Sequence, residues 1–84
     1  MIKTIIVDDE PLAIEILEAY ISRIPELELV ARCTDALEAN LFLNKNKVEL
    51  MFLDIEMPGL RGTDFLKSLE NPPKVIFTTA YPEF

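Results

Sequence analysis

Leu50-Met51-Phe52-Leu53-Asp54 is the stretch that decides the fold. Four consecutive apolar residues closed by an acid have the profile of a central strand covered on both faces. The same form recurs upstream, where Ile2-Lys3-Thr4-Ile5-Ile6-Val7 runs into Asp8-Asp9-Glu10, and downstream, where Val75-Ile76-Phe77 runs into Thr78-Thr79. Between the first two lies a more polar strand, in which Leu27, Leu29, Ala31 and Cys33 alternate with Glu28, Val30 and Arg32, as expected near a sheet edge.

Helical patterns fill the gaps. Pro11 suits a first helical turn, with the acids 8–10 supplying cap and favourable charge; Ala13, Leu17, Tyr20 and Ile24 recur at helical spacing until Pro25. Asp35 and Glu38 resemble a capping box that starts a second helix, with Leu37 and Leu41 among its apolar residues and a basic exit at 44–47. Residues 57–62 read as a loop and 63–69 as a short helix turning Phe65, Leu66 and Leu69 inward; Pro72 and Pro73 break the chain before the last strand. Strands alternating with helices imply parallel pairing through right-handed crossovers. The expected fold class is α/β, a flavodoxin-like doubly wound parallel sheet whose ligands bind beyond the carboxyl ends of the strands.

Composition narrows the chemistry. The 84 residues suffice for one small domain, and the 50% hydrophobic content is too high for disorder. The longest apolar run is far short of a membrane span, and the amino terminus does not resemble a secretory signal. A single cysteine, Cys33, excludes a disulfide framework, and the expected setting is cytoplasmic. The net charge of −7 opposes direct binding to nucleic acid. With no histidine, any metal must be held by oxygen ligands, which favours Mg²⁺, Mn²⁺ or Ca²⁺.

Acidic or hydroxyl residues close three strands: Asp8 and Asp9, Asp54, and Thr78 with Thr79. Each signal alone has an ordinary explanation, as helix cap, turn residue or β-favouring residue. Together, with neighbouring strands about 4.8 Å apart, they point to one pocket. Three converging carboxylates require either a raised pKa or a bound cation, and Mg²⁺ suits them. A carboxylate beside Mg²⁺ can be a nucleophile toward phosphorus, with Thr79 as a hydrogen-bonding partner for a phosphoryl oxygen. Neither the P-loop nor the dinucleotide-binding glycine pattern is present.

The stretches Ile5-Ile6-Val7-Asp8-Asp9-Glu10, Phe52-Leu53-Asp54-Ile55-Glu56-Met57-Pro58-Gly59 with Gly62, and Thr78-Thr79-Ala80 resemble the receiver domain of bacterial two-component response regulators. The resemblance covers the whole chain and is nearest to the LytTR (LytR/AlgR-like) group. It implies a CheY-like fold with strand order 2-1-3-4 and the fifth strand missing. Residues 1–84 would form one incomplete receiver domain, without the fourth helix, fifth strand and last helix. It further implies that Asp54 is the phosphoacceptor, served by a sensor histidine kinase. Mg²⁺ would be held by Asp9, Asp54 and the backbone carbonyl of Glu56, with Asp8 acting through a water. Thr79 would be the switch hydroxyl and Ala80 the small residue beside it.

The family's lysine after the fifth strand has no counterpart here, and Lys74 lies at the wrong end of its strand to replace it. DNA would be reached only through a carboxy-terminal domain absent from this chain, and no membrane partner is expected. The resulting expectation is a phosphorylatable signalling module and not a turnover enzyme. The alternatives are an oligomerisation module with a vestigial acidic pocket and a Mg²⁺-dependent phosphohydrolase. The exposed edge of the fourth strand is expected to pair with a second copy, giving a homodimer or higher association.

Overall fold

A computed structural model describes residues 1–57 and 60–79. The elements run β1 (Ile2–Val7), α1 (Pro11–Ile21), β2 (Leu27–Cys33), α2 (Ala36–Lys45), β3 (Leu50–Asp54), β4 (Glu56–Met57), β5 (Leu60–Arg61), α3 (Gly62–Lys67) and β6 (Lys74–Thr78). A four-stranded parallel sheet has the order β2-β1-β3-β6. This is the expected order 2-1-3-4, with β6 as the fourth strand of the sheet.

The alternation of side chains along β1 and β3 builds two cores, one on each face of the sheet. Ile5, Val7, Met51 and Leu53 point to one face, where Cys33, Ala39, Met57 and Phe65 join them. Ile6 and Phe52 point to the other, against Ile14, Leu17 and Ile21 of α1. Full burial of one such side chain stabilises by roughly 1.5–3 kcal/mol, so β1 and β3 anchor the domain. Helix α1 thus covers one face, while α2 and α3 contribute to the other.

Several local expectations are corrected by this packing. Helix α1 ends at Ile21, short of Pro25; Arg23 and Ile24 form a turn whose N–H groups donate to Tyr20 and Ile21. Tyr20 and Ile24 are exposed, and the inward residues are Ile14, Leu17 and Ile21. Leu12 and Ile16 are exposed as well, so apolar residues on more than one side of α1 left the buried stripe ambiguous. In α2, Leu37 and Leu41 are exposed, and Ala39, Phe42 and Leu43 face the core. Of the acids 8–10, Glu10 stands at the N-cap position of α1 but makes no side-chain cap bond, and the first turn carries no acid.

The alternation in β2 also breaks. Thr4 pairs with Leu29 but Ile5 pairs with Ala31, so Val30 is an extra residue in the ladder. Leu27 and Leu29 therefore pack toward α1, while Ala31 and Cys33 pack on the opposite face. The Asp35 cap is present: Glu38 N–H donates to Asp35 Oδ1 at 2.8 Å, while Glu38 Oε1 reaches back one residue beyond the N-cap and accepts from Thr34 N–H at 2.9 Å.

In place of a plain loop over 57–62, Glu56 and Met57 pair antiparallel with Leu60 and Arg61. Burial of Met57 and the bond from Gly62 N–H to Ile55 O draw the two arms together. The turn expected at Pro58-Gly59, and Ala80 beyond β6, lie outside the described residues.

Candidate functional site

Val7 and Leu53 pair in register on β1 and β3, so the residues that follow them, Asp8 and Asp54, emerge side by side at the carboxyl end of the sheet. Asp54 pairs in turn with Thr78 on β6. The end of the sheet is tied together by backbone bonds: Asp8 N–H to Cys33 O at 3.0 Å, and Ile55 N–H to Thr78 O at 3.0 Å. Strand pairing therefore brings in the acids from separate parts of the chain.

Asp8, Asp9 and Asp54 each offer a carboxylate oxygen, and these atoms lie within 4.8 Å of one another. Asp8 and Asp54 are buried, each 5% exposed, and Asp9 is half-buried. The backbone holds the two buried carboxylates in the same way. Glu10 N–H donates to Asp8 Oδ1 at 2.9 Å, and Glu56 N–H donates to Asp54 Oδ1 at 3.1 Å. Both bonds span two residues, the Asx-turn pattern that aspartate favours where a strand gives way to a loop.

Burial pushes the Asp54 carboxyl up to about 6. The Glu56 N–H works against that rise, and the charges of Asp8 and Asp9 add to it. The ion pair among the described residues, Arg32 with Glu18, lies on exposed side chains and does not involve the cluster. All-oxygen donors, burial and mutual repulsion are conditions that a hard divalent cation satisfies, so the residues present fit Mg²⁺.

Thr79 lies on a groove of about 450 Å³ lined also by Asp8, Glu10, Leu12, Ala13, Ile16, Leu17 and Thr78. It is exposed, whereas the buried Oγ1 of Thr78 has no hydrogen-bond partner among the described residues. The side chain of Glu56 is exposed, and its N–H is committed to Asp54. Lys74 stands at the far end of β6, its N–H donating to Glu49 O, remote along the strand from Thr78. Sequence reasoning missed the place of Gly62, which packs against the backbone of Asp54; its only signal was its position in the motif.

Residues 4–83 match the response regulator receiver domain family. The chain is 38% identical over 86 residues to the transcriptional regulatory protein BtsR of Escherichia coli K12, covering 100% of this chain and 36% of BtsR. It is 40% identical over 90 residues to the sensory transduction protein LytT of Bacillus anthracis, covering 100% of this chain and 35% of LytT. The response regulator TrrA of Thermotoga maritima, solved in complex with Mg²⁺ and BeF, has a TM-score of 0.82 at 30% identity. That match covers 96% of this chain and 71% of TrrA. The chain spans about 36% of the length of the first curated relatives it matches.

Proposed function

The chain belongs to the response regulator receiver domain family, and from that premise we propose that it is a phosphoacceptor switch with Asp54 as the acceptor. The observation that carries this reading is the convergence of the Asp8, Asp9 and Asp54 carboxylates within 4.8 Å at the ends of adjacent strands. An Asp54 oxygen attacks the phosphorus of a phosphohistidine on a sensor histidine kinase. The phosphorus–nitrogen bond breaks, the imidazole leaves with its electron pair, and an acyl phosphate remains on Asp54.

Asp9, Asp54 and the Glu56 carbonyl would hold Mg²⁺, with Asp8 acting through a water. The ion supplies charge neutralisation between carboxylate and phosphoryl oxygens. Support for it comes from the acidic donor set and from the Mg²⁺ and BeF held by TrrA. The chain's own contribution is orientation: the Glu56 N–H holds Asp54 Oδ1, and the Glu10 N–H holds Asp8. Thr79, on the groove beside Asp8, is the hydroxyl that responds to the phosphoryl group. Water then attacks that phosphorus, the bond from phosphorus to the Asp54 oxygen breaks, inorganic phosphate leaves and the free carboxylate returns; no other turnover is assigned.

The relatives BtsR and LytT support a place in transcriptional control. A net charge of −7 repels phosphate backbones, so we assign these 84 residues no direct contact with DNA. Membership of the receiver domain family and the likeness to BtsR support the cytoplasm as the place of action.

Acetyl phosphate with Mg²⁺ tests the acceptor. Intact-mass spectrometry should show one added phosphoryl group in the parent and none in Asp54→Ala. Equal labelling of the two proteins would overturn Asp54 as the acceptor.

A further inference from the structure

Gly62 opens α3 directly over the end of β3. A Cβ built on it would lie 2.2 Å from the carbonyl oxygen of Asp54, 3.1 Å from its carbonyl carbon and 3.1 Å from Ile55 Cα. The first of these is far inside the roughly 3.5–4.0 Å of an attractive contact between carbon atoms. All three are backbone atoms, so no side-chain rotation relieves the clash. The φ of Gly62 lies outside the left-handed region, and the demand for glycine here is one of space.

The close approach has a bonding consequence. Gly62 N–H donates to Ile55 O at 2.7 Å, while Ile55 N–H donates to Thr78 O at 3.0 Å. The segment just after Asp54 is thus gripped from the α3 side and from the β6 side. Any side chain at position 62 forces one of two movements of about 1 Å. Either α3 lifts and gives up the bond to Ile55, or the Asp54–Ile55 peptide shifts and carries the Asp54 carboxylate away from Asp8 and Asp9.

We propose that Gly62 is a positioning residue for Asp54: by lacking a Cβ it lets α3 lock the Asp54–Ile55 peptide at the spacing that the acidic cluster needs. The proposal rests on the reading of Asp54 as acceptor. It adds a residue that is not a member of the Asp8, Asp9 and Asp54 cluster. Misplacing a reacting group by about 1 Å can cost on the order of 100-fold in rate.

The test compares Gly62→Ala with Phe65→Leu. The second change loosens the same helix at a buried residue without placing an atom near Asp54. Mg²⁺ affinity is read by calorimetry and acylation rate by acetyl phosphate labelling, with melting temperature as the common scale of damage. Gly62→Ala should lose about 10–100-fold in both readouts. Phe65→Leu should retain them at comparable loss of stability. Parent-like behaviour of Gly62→Ala, or equal losses in the two variants, overturns the proposal.

If Gly62→Ala does not fold, the parent decides the matter. Mg²⁺ saturation should slow amide exchange at Gly62 but leave Ser68, beyond the far end of α3, unchanged; unaltered exchange at Gly62 overturns the lock. Labelling that survives Asp54→Ala would instead bring down the acceptor assignment and not the contact.

Discussion

The backbone N–H of Glu56 donates to Oδ1 of Asp54 at 3.1 Å, so the carboxylate's own chain orients it from two residues downstream. That bond favours the ionised carboxylate, yet burial outweighs it and holds the Asp54 carboxyl at about 6. The free domain therefore keeps its central acid in a setting that disfavours the charge. A cation in the pocket would reverse that preference.

Asp54 should make the metal-free domain less stable as pH rises. An aspartate ionises near 3.8 in the unfolded chain and near 6 in the folded one. Between these values the native state holds a proton that the unfolded state has released. This group's contribution is therefore favourable at the acid end and is lost as pH rises through about 6. Asp54→Asn should stabilise the metal-free protein near neutral pH by on the order of 1 kcal/mol after solvent screening, and should flatten this part of the profile. Urea unfolding in chelator at several pH values measures it, and a parent more stable than the variant at neutral pH contradicts the sign.

Mg²⁺ should have the opposite effect on the parent. Ligand present at about 100 times its dissociation constant stabilises by roughly 2.7 kcal/mol, and Asp9→Ala should remove that gain. Amide shifts on titration should centre on residues 8–10 and 54–57. Shifts centred elsewhere would move the metal site.

The outer edge of β6 should drive association of the isolated chain. Among the described residues β6 pairs only with β3, and Ile76 and Phe77 are 47% and 41% exposed. Unpaired strand edges flanked by apolar side chains recruit further strands. Sedimentation equilibrium at micromolar concentration should show dimers or larger species, and Ile76→Lys should shift them toward monomer. A parent that stays monomeric with a cooperative melt rules this out.

The cap of α2 should be worth a measurable amount by itself. Asp35→Ala removes the acceptor for Glu38 N–H and should cost about 1 kcal/mol. Thermal unfolding reads it directly. A change below a few tenths of a kcal/mol would mean that the Glu38–Thr34 bond carries the turn alone.

Much of this was legible in order along the chain. Alternation with period two follows from strand geometry, so Ile5, Val7, Met51 and Leu53 could be read as buried, and the acids after Val7 and Leu53 as strand-end residues. The Asp35–Glu38 cap was equally local, because its bond spans only three residues. Other features depend on what packs against what. The inward stripe of α1 was set by the sheet face beneath it, since apolar residues on other sides of the helix competed for the same role. The extra residue at Val30 reflects pairing with β1 and has no local marker.

The sequence by itself determined which residues end the strands and therefore that Asp8, Asp9 and Asp54 could meet, because strand direction and side-chain period are local properties of the backbone. Only the tertiary structure decided how they meet. The 4.8 Å cluster, the Asp54 carboxyl held near 6 and the approach of Gly62 to Asp54 O arise from distance, burial and contact between segments remote along the chain. Those quantities do not exist until the sheet has formed.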